Sequence, residues 1–142
     1  MLKFYHYLTN MNFKKSLLLA FLVFLFVGKA DAQDELLTKT KTAFKTSNAK
    51  LLVENFNNVV EISFDGERSQ YNKTQSEIVM NDFFKKHTYK DFVIKHQGAS
   101  KDEGIKYAIG SYTYNGGEYR VYILIKPFKG FYLIDTLDFS KE

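Results

Sequence analysis

The chain has 142 residues, 45% hydrophobic and 17% aromatic, with 20 Lys and Arg against 16 Asp and Glu and no cysteine. Without cysteine there is no disulfide, no thiolate metal site and no cysteine nucleophile, so the apolar core must hold the fold. The formal charge of +4 implies no nucleic-acid partner, because much of the excess sits in the first 32 residues.

Residues 11–32 read MNFKKSLLLAFLVFLFVGKADA. Lys14 and Lys15 form a basic start, residues 16–27 are an uncharged apolar run, and Ala30-Asp31-Ala32 is a small-x-small cleavage pattern. This is the layout of a secretory signal peptide, with cleavage after Ala32 and translation expected to start at Met11. The apolar run is too short for a spanning helix, which needs about 20 residues. No cysteine follows it to carry a lipid, so no stable membrane anchor is expected after cleavage. The mature chain, residues 33–142, is expected to be one exported domain, periplasmic or secreted. Loss of Lys3, Lys14, Lys15, Lys29 and Asp31 leaves it 16 basic and 15 acidic residues.

Residues 35–56 carry Leu36, Leu37, Phe44, Leu51, Leu52 and Phe56 at helical spacing, with Thr46-Ser47-Asn48 as a break and new N-cap. VVEISF (residues 59–64) alternates and is β-branched, and Asp65-Gly66-Glu67 signals a turn into a short hairpin. Thr74-Gln75-Ser76-Glu77 reads as a capping box for a third helix, with Ile78, Val79, Phe83 and Phe84 on its inner face. The helix ends near His87, where an imidazole suits the negative end of the dipole. From Tyr89 onward DFVIKHQ, GIKYAIGSYTY, EYRVYILIK and FYLIDTLDF alternate with period two. The expected fold is α+β, with three helices packed on one face of a strongly curved antiparallel sheet.

A two-residue turn at Asn115-Gly116 or Gly116-Gly117 gives one partition of the central hairpin. Ala108, Gly110, Tyr112 and Tyr114 lie beside Tyr119, Val121, Ile123 and Ile125 on an uncharged inner face. There Gly110 either admits a helix closely or leaves a cavity. Tyr107, Ile109, Tyr122 and Leu124 lie together on the outer face, as a partner surface or as cross-strand pairs that only stabilise the sheet. For KPFKG (residues 126–130) a three-residue loop is preferred over a four-residue one. It turns Leu133, Asp135, Leu137 and Phe139 inward and sets Arg120 opposite Asp138. A buried Asp135 needs a partner, and His96, which shares parity with Phe92, is the candidate. His96 and Asp135 would then form an acid/base pair in the cone, with Tyr112 or Tyr119 as hydrogen-bond donor.

The chain has no phosphate-binding glycine loop, no nucleophile elbow and no cofactor motif. Its two mature histidines and scattered acids give no metal-ligand spacing. Asn72-Lys73-Thr74 is a chance sequon, and Lys85, Lys86, Lys90 and Lys95 read as a solvated face.

YNKTQSEIVMNDFFKKH, FVIKHQGAS, YAIGSYTYNGGEYRVYILIK and GFYLIDTLDF, in this order behind a signal peptide, resemble a family of exported bacterial proteins, domain of unknown function 4783. The resemblance covers residues 35–139. It implies a nuclear transport factor 2-like (cystatin-like) cone, a curved sheet wrapped on three helices, with no established catalytic residues to carry over. Three functional readings stand. One is a non-catalytic domain binding a small ligand at Gly110, Tyr112, Tyr119, His96 and Asp135, or a protein partner, including a second copy, at the outer face. Another is a cone-pocket isomerase or dehydratase using His96 and Asp135. The last is a structural subunit of an envelope assembly.

Overall fold

A computed structural model describes residues 32–101 and 104–142; the signal segment up to residue 31 lies outside them. The order is α1 (Ala32–Lys45), α2 (Ala49–Val53), β1 (Phe56–Phe64), β2 (Glu67–Asn72), α3 (Lys73–Lys86), β3 (Tyr89–Ala99), β4 (Lys106–Tyr114), β5 (Gly117–Phe128) and β6 (Phe131–Lys141). The six strands form one sheet in the order β2-β1-β6-β5-β4-β3. Every pair is antiparallel except β1–β6, which is parallel.

Helix α1 buries Leu36, Leu37, Thr40, Ala43 and Phe44, an i, i+3, i+4 stripe, with Asp34 and Glu35 in its first turn and Lys45 in its last. Thr40 satisfies its hydroxyl within the helix by donating to the Leu36 carbonyl at 2.9 Å. Ser47 turns the chain with φ 48°, and Asn48 caps α2 by accepting from the Leu51 N–H, as the sequence break predicts. The capping box of α3 lies two residues earlier than expected. Asn72 accepts from the Gln75 N–H at 2.9 Å and Gln75 Oε1 accepts from the Asn72 N–H at 3.1 Å. The buried face is accordingly Ser76, Met80, Phe83 and Phe84, while Ile78 is 60% exposed.

The helices cover a sheet face made almost wholly of apolar side chains. Phe44 meets Phe92 edge-on at 4.6 Å and Tyr112 at 5.7 Å, and Phe83 lies 4.5 Å from Phe139 and 5.3 Å from Tyr112. Tyr112, Phe44 and Phe139 are fully buried. Such edge and tilted pairs add about 0.5–1.5 kcal/mol each beyond their buried area.

Register decides which residues reach this core. The β4–β5 turn is Asn115-Gly116, pairing Tyr114 with Gly117 and Tyr112 with Tyr119, so the expected partition holds. The β5–β6 turn differs from both expected loops. Phe128 pairs with Phe131 across a two-residue turn, with Lys129 at φ 47° and Gly130 at φ 82°. This register turns Ile134 inward opposite Ile125 in place of Leu133. A β-bulge between Leu124 and Ile125 on one side and Ile134 and Thr136 on the other then leaves Asp135 unpaired in the ladder. The extra residue resets the alternation, so Leu137 and Phe139 return to the core and Asp135 stays outside it. The same shift pairs Asp138 with Tyr122 instead of Arg120.

A second bulge, at Lys95, reverses the expectation for His96. Ile94 pairs with Gly110, but His96 pairs with Ile109, so it joins the outer face and is exposed. Gln97 takes the inward position opposite Ala108 and reaches Asp34 of α1 at 3.4 Å. The space over Gly110 is taken by the Phe92 ring of the neighbouring strand. A Cβ there would lie 2.7 Å from the Phe92 ring and 2.9 Å from the Val93 carbonyl oxygen. The missing Cβ leaves the Phe92 ring room over the neighbouring strand.

Gly110→Ala is therefore expected to lower stability by about 1–3 kcal/mol, the usual range for overpacking. Urea unfolding checks it, and an unchanged midpoint would show that Phe92 has room to move.

Candidate functional site

Three places can carry chemistry or recognition: the interior of the cone, its open end at His87, and the outer face of the sheet. The interior is occupied by the protein itself. Gly110 is covered by Phe92, and Tyr112 and Tyr119 are buried members of the aromatic cluster. None of the three borders any hollow described among these residues.

The open end is organised by His87, which closes α3. Its backbone N–H and its ring Nδ1 both reach the Phe83 carbonyl, each at 2.9 Å. Since a carbonyl only accepts, Nδ1 carries a proton, and Nε2 lies 3.3 Å from the Tyr119 hydroxyl. The His87 carbonyl accepts from the Tyr112 hydroxyl at 2.8 Å. Tyr114 meets the imidazole edge-on at 4.8 Å and stacks on Tyr119 at 5.4 Å. One helix-ending residue thus ties α3 to β4 and β5. Both ring nitrogens face a polar partner, so the imidazole fastens the end of α3 to the sheet. Phe64, Val79, Phe83 and His87 leave a shallow open hollow of about 240 Å³ beside it, with Asp82 and Lys86 at the rim.

Burial raises the Tyr112 hydroxyl far above its ordinary pKa, with the neighbouring Tyr89 adding to the shift. Tyr119 is raised in the same direction by burial first, then by Asp65 and Tyr114. Both phenols are thereby held in the neutral form, and that of Tyr112 is committed as a donor to the His87 carbonyl.

The acid/base pair expected from the sequence does not exist. Asp135 is held on the outer side by Lys126 Nζ at 2.8 Å and by the Asn57 amide, which donates to its Oδ1 at 3.4 Å. It borders a hollow of about 450 Å³ with Val59, Glu61, Gln70 and Thr136. His96 borders a different one, of about 370 Å³, with Asp34, Thr38 and Lys41 of α1. The two bulges separate them, and no described hollow holds both. Among the described residues no group of three or more His, Asp or Glu is placed to hold a metal ion.

On the outer face, three rows cross the strands: Val93–Ser111–Arg120–Ser140, His96–Ile109–Tyr122–Asp138 and Gly98–Tyr107–Leu124–Thr136. Tyr107, Ile109, Tyr122 and Leu124 adjoin as expected, each half-buried. Tyr107 stacks on Tyr122 at 6.3 Å and lies over Gly98, where a Cβ would be 2.8 Å from its hydroxyl. Val93 beside them is 48% exposed. The Ser111 hydroxyl in the first row and the Ser63 hydroxyl beside Asp138 are buried without a hydrogen-bond partner among the described residues. The orphaned hydroxyls were not legible in the sequence, where serine on a mixed face gives no signal.

The helix-covered curved sheet is an α+β fold of the nuclear transport factor 2-like type. It is similar at this level to a nuclear transport factor 2-like protein of unknown function from Cytophaga hutchinsonii (14% identity, TM-score 0.56, covering 82% of this chain and 95% of that one). The chain belongs to the family described as Domain of unknown function (DUF4783), which matches residues 37–140. Crystal structures of DUF4783 family proteins agree with this. One from Bacteroides ovatus shares 28% identity at a TM-score of 0.68, covering 73% of this chain and 93% of that one. One from Bacteroides uniformis shares 25% at the same TM-score, covering 74% and 95%. No curated protein matches the chain.

The raised Tyr112 value has a signed consequence. The folded protein holds this proton more tightly than the unfolded chain, whose tyrosines titrate near 10. Its contribution is complete below pH 10 and is lost progressively as pH rises above that. In Tyr112→Phe, urea stability should fall less steeply above pH 10, and be lower at neutral pH by about 1–2 kcal/mol from the lost hydrogen bond. Parallel pH profiles for the two proteins would refute the assignment.

Proposed function

We propose that this protein is an exported, non-catalytic interaction domain that self-associates through the outer face of its sheet. The observation that carries the reading is the patch of Tyr107, Ile109, Tyr122 and Leu124, with Val93 exposed beside it and the unpartnered Ser111 hydroxyl in the next row. A half-buried apolar centre with polar surroundings is the composition of an association surface. An unsatisfied buried hydroxyl gains a partner when a second surface arrives.

The charges favour a second copy over an unrelated partner. A two-fold interface must be self-complementary, and this face carries both signs: Lys95 and Arg120 with Glu118 and Asp138. Lys95 already pairs with Glu118 across β4 at 3.3 Å, so these groups are at hand to exchange partners between copies. The acid/base enzyme has no support once His96 and Asp135 lie outside the cone, and the described hollows do not reach Gly110, Tyr112 or Tyr119, which favours a surface reading.

Light scattering of residues 33–142 over a concentration series is expected to show a dimer. Tyr122→Lys or Leu124→Lys should weaken it at least about tenfold by placing an unpaired charge at the centre of the patch. A monomer at every concentration would overturn self-association.

A further inference from the structure

Resting on the self-association proposed above, we infer that the two copies meet about a two-fold axis parallel to the strands and midway between β4 and β5. His96 of each copy then faces Asp138 of the other, and protonation of His96 tightens the dimer.

From β3 to β6 the outer face carries the row His96–Ile109–Tyr122–Asp138. Its ends can hold opposite charges and its middle is Ile109 and Tyr122. Neither end is where plain alternation puts it. The bulge at Lys95 brings His96 onto this face, and the register of β6 sets Asp138 against Tyr122 and away from Arg120. Bulges recur where a strand re-aims a side chain beside a functional surface. The exposed side chains of His96 and Arg120 have no hydrogen bond or ion pair among the described residues. Asp138 accepts a long bond, 3.5 Å, from the Ser140 hydroxyl. The charged groups of this face are therefore open to a second copy.

Aligned packing keeps the strands of two facing sheets within about 30° of each other. A two-fold axis in the interface then runs nearly across the strands or nearly along them. Across them, through this row, it sets each member against its own copy. Asp138 would meet Asp138, His96 would meet His96, and Arg120 would lie over Leu124. Like charges facing each other disfavour that pairing. Along the strands the axis reverses the row. Ile109 then lies on Tyr122, Tyr107 on Leu124, and His96 on Asp138 at both ends. In the next row it carries Arg120 of one copy to Ser111 of the other, whose buried hydroxyl has no partner among the described residues. A hydroxyl oxygen accepts from a guanidinium, so this axis also satisfies the orphan.

An aspartate facing an imidazole favours its protonated form, which couples association to proton uptake. The added attraction is complete below about pH 6.5, the ordinary histidine value, and is lost as pH rises above it. The other charges around His96 are Lys95 on its own strand, Glu118 of β5, which holds Lys95 at 3.3 Å, and Asp34 and Lys41 of α1. Opposite it on β4 lies the uncharged Ile109. These groups accompany His96 in one copy and in two, so the change in dimer affinity with pH reports what the second copy adds.

Light scattering of the protein should show a dimer at least about tenfold tighter at pH 5.5 than at pH 8. His96→Gln and Asp138→Asn should each remove most of that difference and leave the affinity at pH 8 nearly unchanged. The chain has no cysteine, so oxidising a mixture of His96→Cys and Asp138→Cys proteins reads the axis directly. Disulfides should join position 96 to position 138 in preference to either like pair. A dimer no tighter at pH 5.5, or a preference for disulfides between like positions, would overturn this geometry and leave self-association standing. So would a pH response that survives His96→Gln, which would assign it to His87. A monomer at every concentration and pH would overturn both.

Discussion

The rest of the structure depends on how completely the aromatic side chains fill the space between helices and sheet. Phe64 stacks on both Phe83 and Phe139, Phe83 tilts against Tyr112 and Tyr119, and Phe44 closes the other side against Phe92. A curved sheet under three helices can enclose a pocket; here these rings occupy it. The two polar tips inside, the hydroxyls of Tyr112 and Tyr119, are both spent on His87. Burial then holds both phenols in their neutral form, which suits a fastening.

The bulges at Lys95 and Asp135 follow from the same demand. Strict alternation would send His96 and Asp135 toward the core, where an unpaired charge is expensive. One extra residue in each strand avoids this and returns Leu137 and Phe139 to the interior on β6. The expelled polar groups enrich the surface. Asp135 finds Lys126 and Asn57, and His96 joins the row of Ile109 and Tyr122. The sheet face and the β5–β6 tip carry apolar groups that the core did not absorb.

Local chemistry was legible in the sequence and register was legible only in part. The break before Asn48 and the Asp65-Gly66 turn are found where read, and the Asn115-Gly116 turn is one of the two that the sequence left open. The face partition of β4 and β5 follows from that last turn without further information. The capping box failed by two positions because Asn72–Gln75 satisfies the same rule as Thr74–Glu77. The last hairpin failed because Gly130 was placed third in a loop when it is second in a two-residue turn. Bulges have no residue signature of their own. The signal that could have found one was the charge of Asp135 in an otherwise apolar inward series. The parallel β1–β6 pairing comes from the path of the whole chain and leaves no local mark.

The most direct test is whether an apolar probe can enter the cone. Methyl resonances of Val121, Ile123, Ile125 and Leu137, all buried on the inner face, can be followed by NMR while benzene is added. Apolar cavities large enough to hold it bind it readily. A filled interior predicts no saturable shift at these four residues. Saturable shifts centred on them would show a pocket among the aromatic rings and return the function to the inside of the fold.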